Sequence, residues 1–398
     1  MSTAGTQTTQ ASRSWPDGTW RPYDPDRSPF NWAVPGDAPT LGNGHLMVES
    51  LLNLSGCDPT TAPQNCKPSN WSAYTAEGGH RRGSGWPTYW VQASDPDFTV
   101  ECTGSGHCVL GHQFRLKIPE GAVRQWTSTP GGGDRHLTIV DTDGVTGLEK
   151  PNYEYDFYQF EPEVIGGGVH CTTVNMAALS LTGLGQAEVI KGVIGNTNAA
   201  GFGNLAGRVR AEELAAGEIR HALTIVVPCT RDAYVWPAIH KGFDKNGPCK
   251  ANSPDWPAVG QLFHLRMTEA DIDAHPATKS APEWVKTILK AMRTHGMYVN
   301  DIGGYGSSYF QIQSESQVQY TCLGAPDAWL SFAEQNGWTL YPGAPDDPGE
   351  RRVGKLQGEP PKEDAARRQW IADWQDVWRK LVVIDPLAIP GNPENPVP

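Results

Sequence analysis

Five polar side chains stand within or beside runs that otherwise read as buried strands: Asp134 and His136, then Asp156, then His221, then Asp301 just before Gly303-Gly304. Two carboxylates with an imidazole across one side of a sheet are what glycoside cleavage requires. One acid protonates the leaving oxygen, and one base or nucleophile works on the opposite face of the sugar. Asp156 and Asp301 are the candidate pair, with His136 and His221 as close supports. Strand alternation puts His136 on one face with Thr138 and Val140, and His221 on one face with Leu223, Ile225 and Val227, so both rings point toward a core or a lined cleft. A polar group placed there needs a partner. For any one of these residues a structural hydrogen bond is the commoner explanation; five on neighbouring strands shift the balance toward a site.

Asp134, Tyr155, Gln159, Trp236 and Tyr305 are the candidate substrate contacts. With Trp90 and Tyr153, these rings are of the kind that stack on the apolar C–H face of a pyranose or, equally, fill a core. A polysaccharide lyase is the alternative within enzymes, with His136 or Tyr155 as base and Arg220 or Gln159 neutralising a uronate carboxylate. A non-catalytic extracellular binding or surface-assembly protein is the alternative outside them. His136, His221 and a carboxylate could also hold a metal, but no short-range ligand spacing supports one, and no cofactor is expected. The loop Asp141-Thr142-Asp143-Gly144 has calcium-loop residues and reads better as a turn. Gly201-Phe202-Gly203-Asn204-Leu205-Ala206 matches G-x-G-x-x-A, yet no strand precedes it, so it is not read as a dinucleotide loop. The chain lacks G-x-S-x-G, Walker A and H-E-x-x-H motifs, which removes the usual support for esterase, nucleotide-hydrolase and zinc-protease chemistry.

The elements that must position these residues are mostly short strands. Gly 44 and Pro 33 make up about a fifth of 398 residues, a high share for a helical protein. Residues 136–141 and 153–160 are β-rich runs flanking a turn, which predicts an antiparallel hairpin. Residues 219–227 form a third strand stopped by Pro228, and 263–267 and 297–301 are further members. A helix is predicted over 282–295, with Ser280 and Glu283 spaced as a capping box and Gly296 as the stop. A second is predicted over 362–382, where Trp370, Ile371, Trp374, Val377, Trp378 and Leu381 make an apolar stripe. The expected layout is a disordered tail over 1–14, a β-sandwich domain over 15–340 with residues 15–39 lying extended on the body, a linker over 341–361, and a C-terminal helix and tail over 362–398 docked on the main domain. The expected fold is mainly β, a jelly-roll sandwich with two peripheral α-helices.

The formal charge of −12, with no run of Lys and Arg, disfavours nucleic acid and anionic membranes as partners and argues mildly against polyanionic lyase substrates. No apolar stretch is long enough to span a bilayer. Eight cysteines without metal-site spacing predict disulfides: Cys57 with Cys66, Cys102 with Cys108, Cys229 with Cys249, and by remainder Cys171 with Cys322. Oxidised cysteines imply export, and the polar residues after Met1, unlike a basic and apolar leader, fit a mature start.

The order of motifs resembles a family of secreted bacterial proteins of unassigned activity. Those carry a start like Ser28-Pro29-Phe30-Asn31, then Asp-x-His-hydrophobic-Thr-Val-Ile-Asp, Tyr-Asp-Phe-Trp-Gln, a Gly-rich segment followed by His-Ala-Leu, and late Tyr-Gly-Met-Tyr-Val-x-Asp. The counterparts here are residues 134–141, 155–159, 201–223 and 295–301. The likeness covers roughly 28–304 and departs at Tyr158, where Trp is expected, and His295, where Tyr is expected. It implies secretion and a β-sandwich, keeps His136, Asp156, His221 and Asp301 in place, and supplies no reaction. The resulting expectation is a secreted glycoside hydrolase acting on a neutral polysaccharide.

Overall fold

The computed structural model describes residues 19–54, 72–78, 86–125, 133–227, 230–242, 252–302, 311–312, 328–341, 350–356, 358 and 361–394. Its strands, in chain order, begin with β1 (Ser72–Gly78), β2 (Thr88–Trp90), β3 (Asp97–Cys102), β4 (Gln113–Lys117), β5 (Leu137–Asp141) and β6 (Tyr153–Tyr158). There follow β7 (Cys171–Thr173), β8 (Asn175–Ser180), β9 (Val189–Ile190), β10 (Val193–Ile194), β11 (Leu223–Val227) and β12 (Leu262–Leu265). The last are β13 (Met297–Ile302), β14 (Gln311–Ile312), β15 (Thr339–Tyr341), β16 (Glu350–Lys355) and β17 (Leu381–Val383).

Among the described residues these strands form an eight-stranded sheet, a four-stranded sheet in the order β2-β5-β6-β8, a three-stranded sheet in the order β4-β3-β7, and the β9–β10 pair. The protein is sheet-rich, as expected, but its path is not that of a jelly roll. Jelly rolls are antiparallel throughout, whereas here β11 runs parallel to β13, β2 to β5, and β3 to β7. Parallel neighbours need a crossover, and the helix Glu283–Thr294 leads directly into β13.

The large sheet is apolar on both faces. Leu223, Ile225, Phe263, Leu265, Met297 and Val299 pack with Trp284, Ile288 and Leu289 of the helix Glu283–Thr294 and with Trp374 and Trp378 of the helix Asp364–Arg379. Neither helix is peripheral; each closes the main core. The helix Gly44–Leu54 joins the same layer through Met47, Val48, Leu51 and Leu52, which repeat at helical spacing. Pro282, with no side-chain cap bond, begins the helix Glu283–Thr294 in place of the expected capping box, while Gly296 follows its C-cap in the left-handed region. β16 falls inside the expected linker and pairs with β1 and β15, and β17 takes over the end of the second predicted helix and pairs with β12.

On its other face the large sheet, through Leu262 and Tyr298, meets Phe30 and Phe202, and the same layer reaches Trp90 and Val140 of the four-stranded sheet. The segment expected to lie on the surface is threaded through this layer instead. Phe30 is fully buried, Pro29 O accepts from Tyr298 Oη and Phe30 O from the Ala222 amide. The outer face of the four-stranded sheet, with Tyr89, Leu137, Ile139, Tyr155 and Phe157, packs on Phe98, Val100 and Leu116 of the three-stranded sheet.

Candidate functional site

The hairpin of β5 and β6 organises the site. Alternation sends Tyr155 and Phe157 into the outer core and leaves Glu154, Asp156 and Tyr158 on the face toward the large sheet. Thr138 pairs with Asp156 in register, and His136, just ahead of β5, packs beside Tyr158 with ring centroids 5.8 Å apart. Five polar side chains therefore stand in one strip.

The inner end of that strip is sealed. Asp156 accepts from Thr138 Oγ1 and from the Asn204 amide, both at 2.8 Å, and Glu154 accepts from Tyr23 Oη at 2.8 Å and the Leu205 amide at 2.9 Å. The two carboxyl groups lie side by side, and both are completely buried. Burial holds Asp156 well above the usual carboxylate range, reinforced by the charge of Glu154; burial likewise raises Glu154, opposed by the Leu205 amide and Tyr23. The Gly-x-Gly segment that mimics a dinucleotide loop has its purpose here. A Cβ on Gly203 would stand 2.2 Å from Tyr23 Oη and 2.9 Å from Glu154 Oε2, so only glycine lets this backbone lie on the carboxyl pair. Asp156 thus belongs to a buried clasp and cannot reach a substrate oxygen, contrary to its expected catalytic role.

Among the described residues the outer end is partly exposed. Where β5 and β6 part, Arg135 and Gln159 take positive φ of 49° and 55°, and the Gln159 amide donates to Asp134 O at 2.7 Å. Two non-glycine residues in the left-handed region mark a strained ladder end, a kind of place where functional groups gather. Asp134 there is exposed. His136 lies against Trp86, centroids 4.1 Å apart, with Nδ1 at 3.3 Å from Phe157 O. Burial pushes its imidazole down to about 4, opposed by Asp134 and aided by the Arg208 guanidinium. Tyr158 is half-buried and accepts from Gln159 Nε2 at 3.4 Å; burial and the charges of Asp134 and Asp301 raise its phenol.

Asp301 reaches the same place from β13. It accepts from the Ile302 amide at 2.8 Å and from the Ala199 amide, and burial lifts it to about 7, with the charge of Asp134 adding to the rise. Asp134, His136, Tyr158, Gln159 and Asp301 thus come together from three segments where the four-stranded sheet meets the end of β13. Tyr158 entered the sequence reading only as a departure from a motif. Glu154 was missed altogether, although strand alternation places it two residues from Asp156 on the same face.

The remaining expected residues lie elsewhere. His221 Nε2 bonds Glu213 Oε1 at 2.9 Å and its Nδ1 faces Ala222 O at 2.9 Å. Glu213 is also bound by Arg210 at 2.9 Å; burial raises this carboxyl, but His221 and Arg210 outweigh burial and hold it below its ordinary value. His221 is therefore a partnered core histidine, committed to Glu213. Tyr155 faces the outer core, its hydroxyl donating to Thr146 O at 3.2 Å and accepting from the Leu148 amide at 2.9 Å, so it is not placed to act as a base. Exposed Arg220 pairs with Glu218 at 2.8 Å. Trp236 lines a separate groove, and Tyr305 lies outside the described residues.

Cys102 and Cys108 form the expected disulfide. Cys171 is a buried free thiol, which corrects the expected pairing with Cys322; Cys322, Cys57, Cys66, Cys229 and Cys249 lie outside the described residues. The Asp141 carboxylate accepts from the amides of Asp143, Gly144, Val145 and Thr146, which makes its loop a self-satisfied turn. Among the described residues no three His, Cys, Asp or Glu side chains are grouped to hold a metal ion, and no helix is long and apolar enough to cross a membrane.

Comparison with protein-family models, curated proteins and solved structures gives no match for this chain.

Proposed function

We propose that this chain is a secreted enzyme that hydrolyses a glycosidic bond in a neutral glycan, with Asp301 as proton donor and Asp134 as the partner carboxylate. The observation that carries this reading is the convergence of Asp134 and Asp301, from distant segments, on one half-open polar junction beside Tyr158 and His136. Their surroundings differ as such chemistry requires: one carboxyl is half-buried and proton-retaining near neutrality, the other is exposed. Asp301 gives its proton to the glycosidic oxygen as the bond to the anomeric carbon breaks. Asp134 stabilises the positive charge that develops at that carbon, and a water adds its oxygen there while its proton passes to the Asp134 carboxylate. Neutral His136 and Tyr158 line the junction as hydrogen-bonding walls.

The Cys102–Cys108 disulfide supports an oxidising compartment, in keeping with the motif resemblance to secreted proteins. The lyase alternative loses Tyr155, committed to Thr146 and Leu148, and Arg220, committed to Glu218, and keeps only His136 and Gln159 at the junction. The test is a panel of neutral and uronic polysaccharides assayed for new reducing ends and for unsaturated products. Reducing ends from a neutral member, abolished by Asp301→Asn with the fold intact, are expected. Unsaturated products, or full turnover by that variant, overturn the proposal.

A further inference from the structure

Ala200, whose amide donates to Asn300 O beside Asp301 at 3.0 Å, also accepts at its own O the amide of Ile239 at 2.9 Å. Ile239 is in turn a wall of an open groove of about 570 Å3 enclosed by residues 234–239 and 385–394. That volume lies within the range of small-ligand clefts. The groove combines rings and aliphatic groups (Tyr234, Trp236, Leu387) with the carboxylates of Asp385 and Glu394, while the Asn392 side chain braces the wall by bonding Pro386 O and the Glu394 amide, and among the described residues no Lys or Arg lines it. Tyr234 is 52% and Leu387 47% exposed, unusual for large apolar groups. Trp236 is held in place, its Nε1–H donating to Pro390 O at 3.0 Å, so its ring would lose little freedom on receiving a ligand.

We propose that this groove binds a stretch of neutral oligosaccharide, as a subsite of the glycan-cleaving centre. Its place beside catalysis rests on the hydrolase reading; its binding does not. A pyranose offers an apolar C–H face to the rings and a rim of hydroxyl donors to the Asp385 and Glu394 carboxylates. A fatty chain would strip those carboxylates of water without replacing their hydrogen bonds, and a uronate would meet negative charge with no cation to balance it. The C-terminal tail thereby acquires a role, because residues 385–394 supply one wall.

The experiment is calorimetric titration of the full chain carrying Asp301→Asn, which separates binding from turnover. The probes are neutral hexasaccharides of glucose, xylose, mannose and arabinose, with oligogalacturonate as the charged counterpart. At least one neutral probe should bind, Tyr234→Ala and Trp236→Ala should each weaken it about tenfold, and oligogalacturonate should not bind. Tyr234 is exposed enough that its replacement does not threaten the fold, so that variant decides should Trp236→Ala fail to fold. No binding by any neutral probe, unchanged affinity in the variants, or preference for oligogalacturonate overturns the inference. Cleavage by the parent chain with KM untouched by both groove variants removes the groove and spares the hydrolase; binding without cleavage does the reverse.

Discussion

The clasp over Glu154 and Asp156 makes a prediction that can be worked atom by atom. Tyr23→Phe removes one buried hydrogen bond to a carboxyl, 2.8 Å long, for a cost of about 1.5–3 kcal/mol. Gly203→Ala places a methyl 2.2 Å from Tyr23 Oη, 2.9 Å from Glu154 Oε2 and 3.0 Å from Leu179 Cδ2. Gly203 is not among the positive-φ glycines, so the cost is steric. Overpacking of this kind costs about 1–3 kcal/mol, and the displaced hydroxyl adds the same ~1.5–3 kcal/mol as above. The hydrogen bond is lost in each single variant but only once in the double. Moreover, the closest clash disappears in the Tyr23→Phe background. The two changes should therefore be non-additive by about 1.5–3 kcal/mol, with the double variant more stable than the sum of the singles. Urea unfolding of the four proteins at neutral pH measures this. Additivity within about 0.5 kcal/mol would refute the placement of the 203–205 backbone on the carboxyl pair.

Three more outcomes are expected. His136, His264 and His295 are buried and held near 4, each by burial first, so the unfolded chain takes up protons near 6.5 while the folded chain does not. Each contribution is present above about pH 6.5 and lost as pH falls toward 4, by at most about 3 kcal/mol; His264→Phe should flatten the slope of stability against pH in that window, and an unchanged slope counts against it. Asp134→Asn removes a negative charge that raises Asp301, so the Asp301 carboxyl, near 7 in the parent, should titrate at lower pH in the variant when followed by carboxyl-carbon NMR; a titration that stays in place counts against their closeness. Trp378 is fully buried between its helix and the large sheet, so Trp378→Ala should cost about 3–5 kcal/mol, and a thermal melt that does not move would contradict that packing.

Much of the local architecture can be read directly from residue order. The hairpin of β5 and β6 is legible because alternation in 136–141 and 153–158 is a property of neighbouring residues. The helices Glu283–Thr294 and Asp364–Arg379 are legible because their apolar stripes repeat at 3.6 residues, and the Cys102–Cys108 bond because it closes a loop of six positions. The polarity of Asp134, His136, Asp156 and Asp301 within such runs is equally plain, and three of the four do gather at the open junction.

Which of them are open to a substrate is not a local property. Asp156 and His136 share a strip, yet Asp156 is sealed by Thr138 and the Asn204 amide, as its neighbour Glu154 is by Tyr23, and nothing within β6 encodes that cover. His221 looks like a cleft residue until Glu213, on a short helix turned back toward it, takes its Nε2. Strand order is hidden for the same reason: a parallel partner such as β13 for β11 is chosen by the crossover that buries both faces of the sheet, not by either strand's sequence. Residue order by itself determined the elements and the polar groups they carry, because propensity and periodicity act over a few residues. Tertiary structure alone decided which groups are partnered, which are buried and which meet, because hydrogen bonding and desolvation depend on whatever distant segment comes to lie against them.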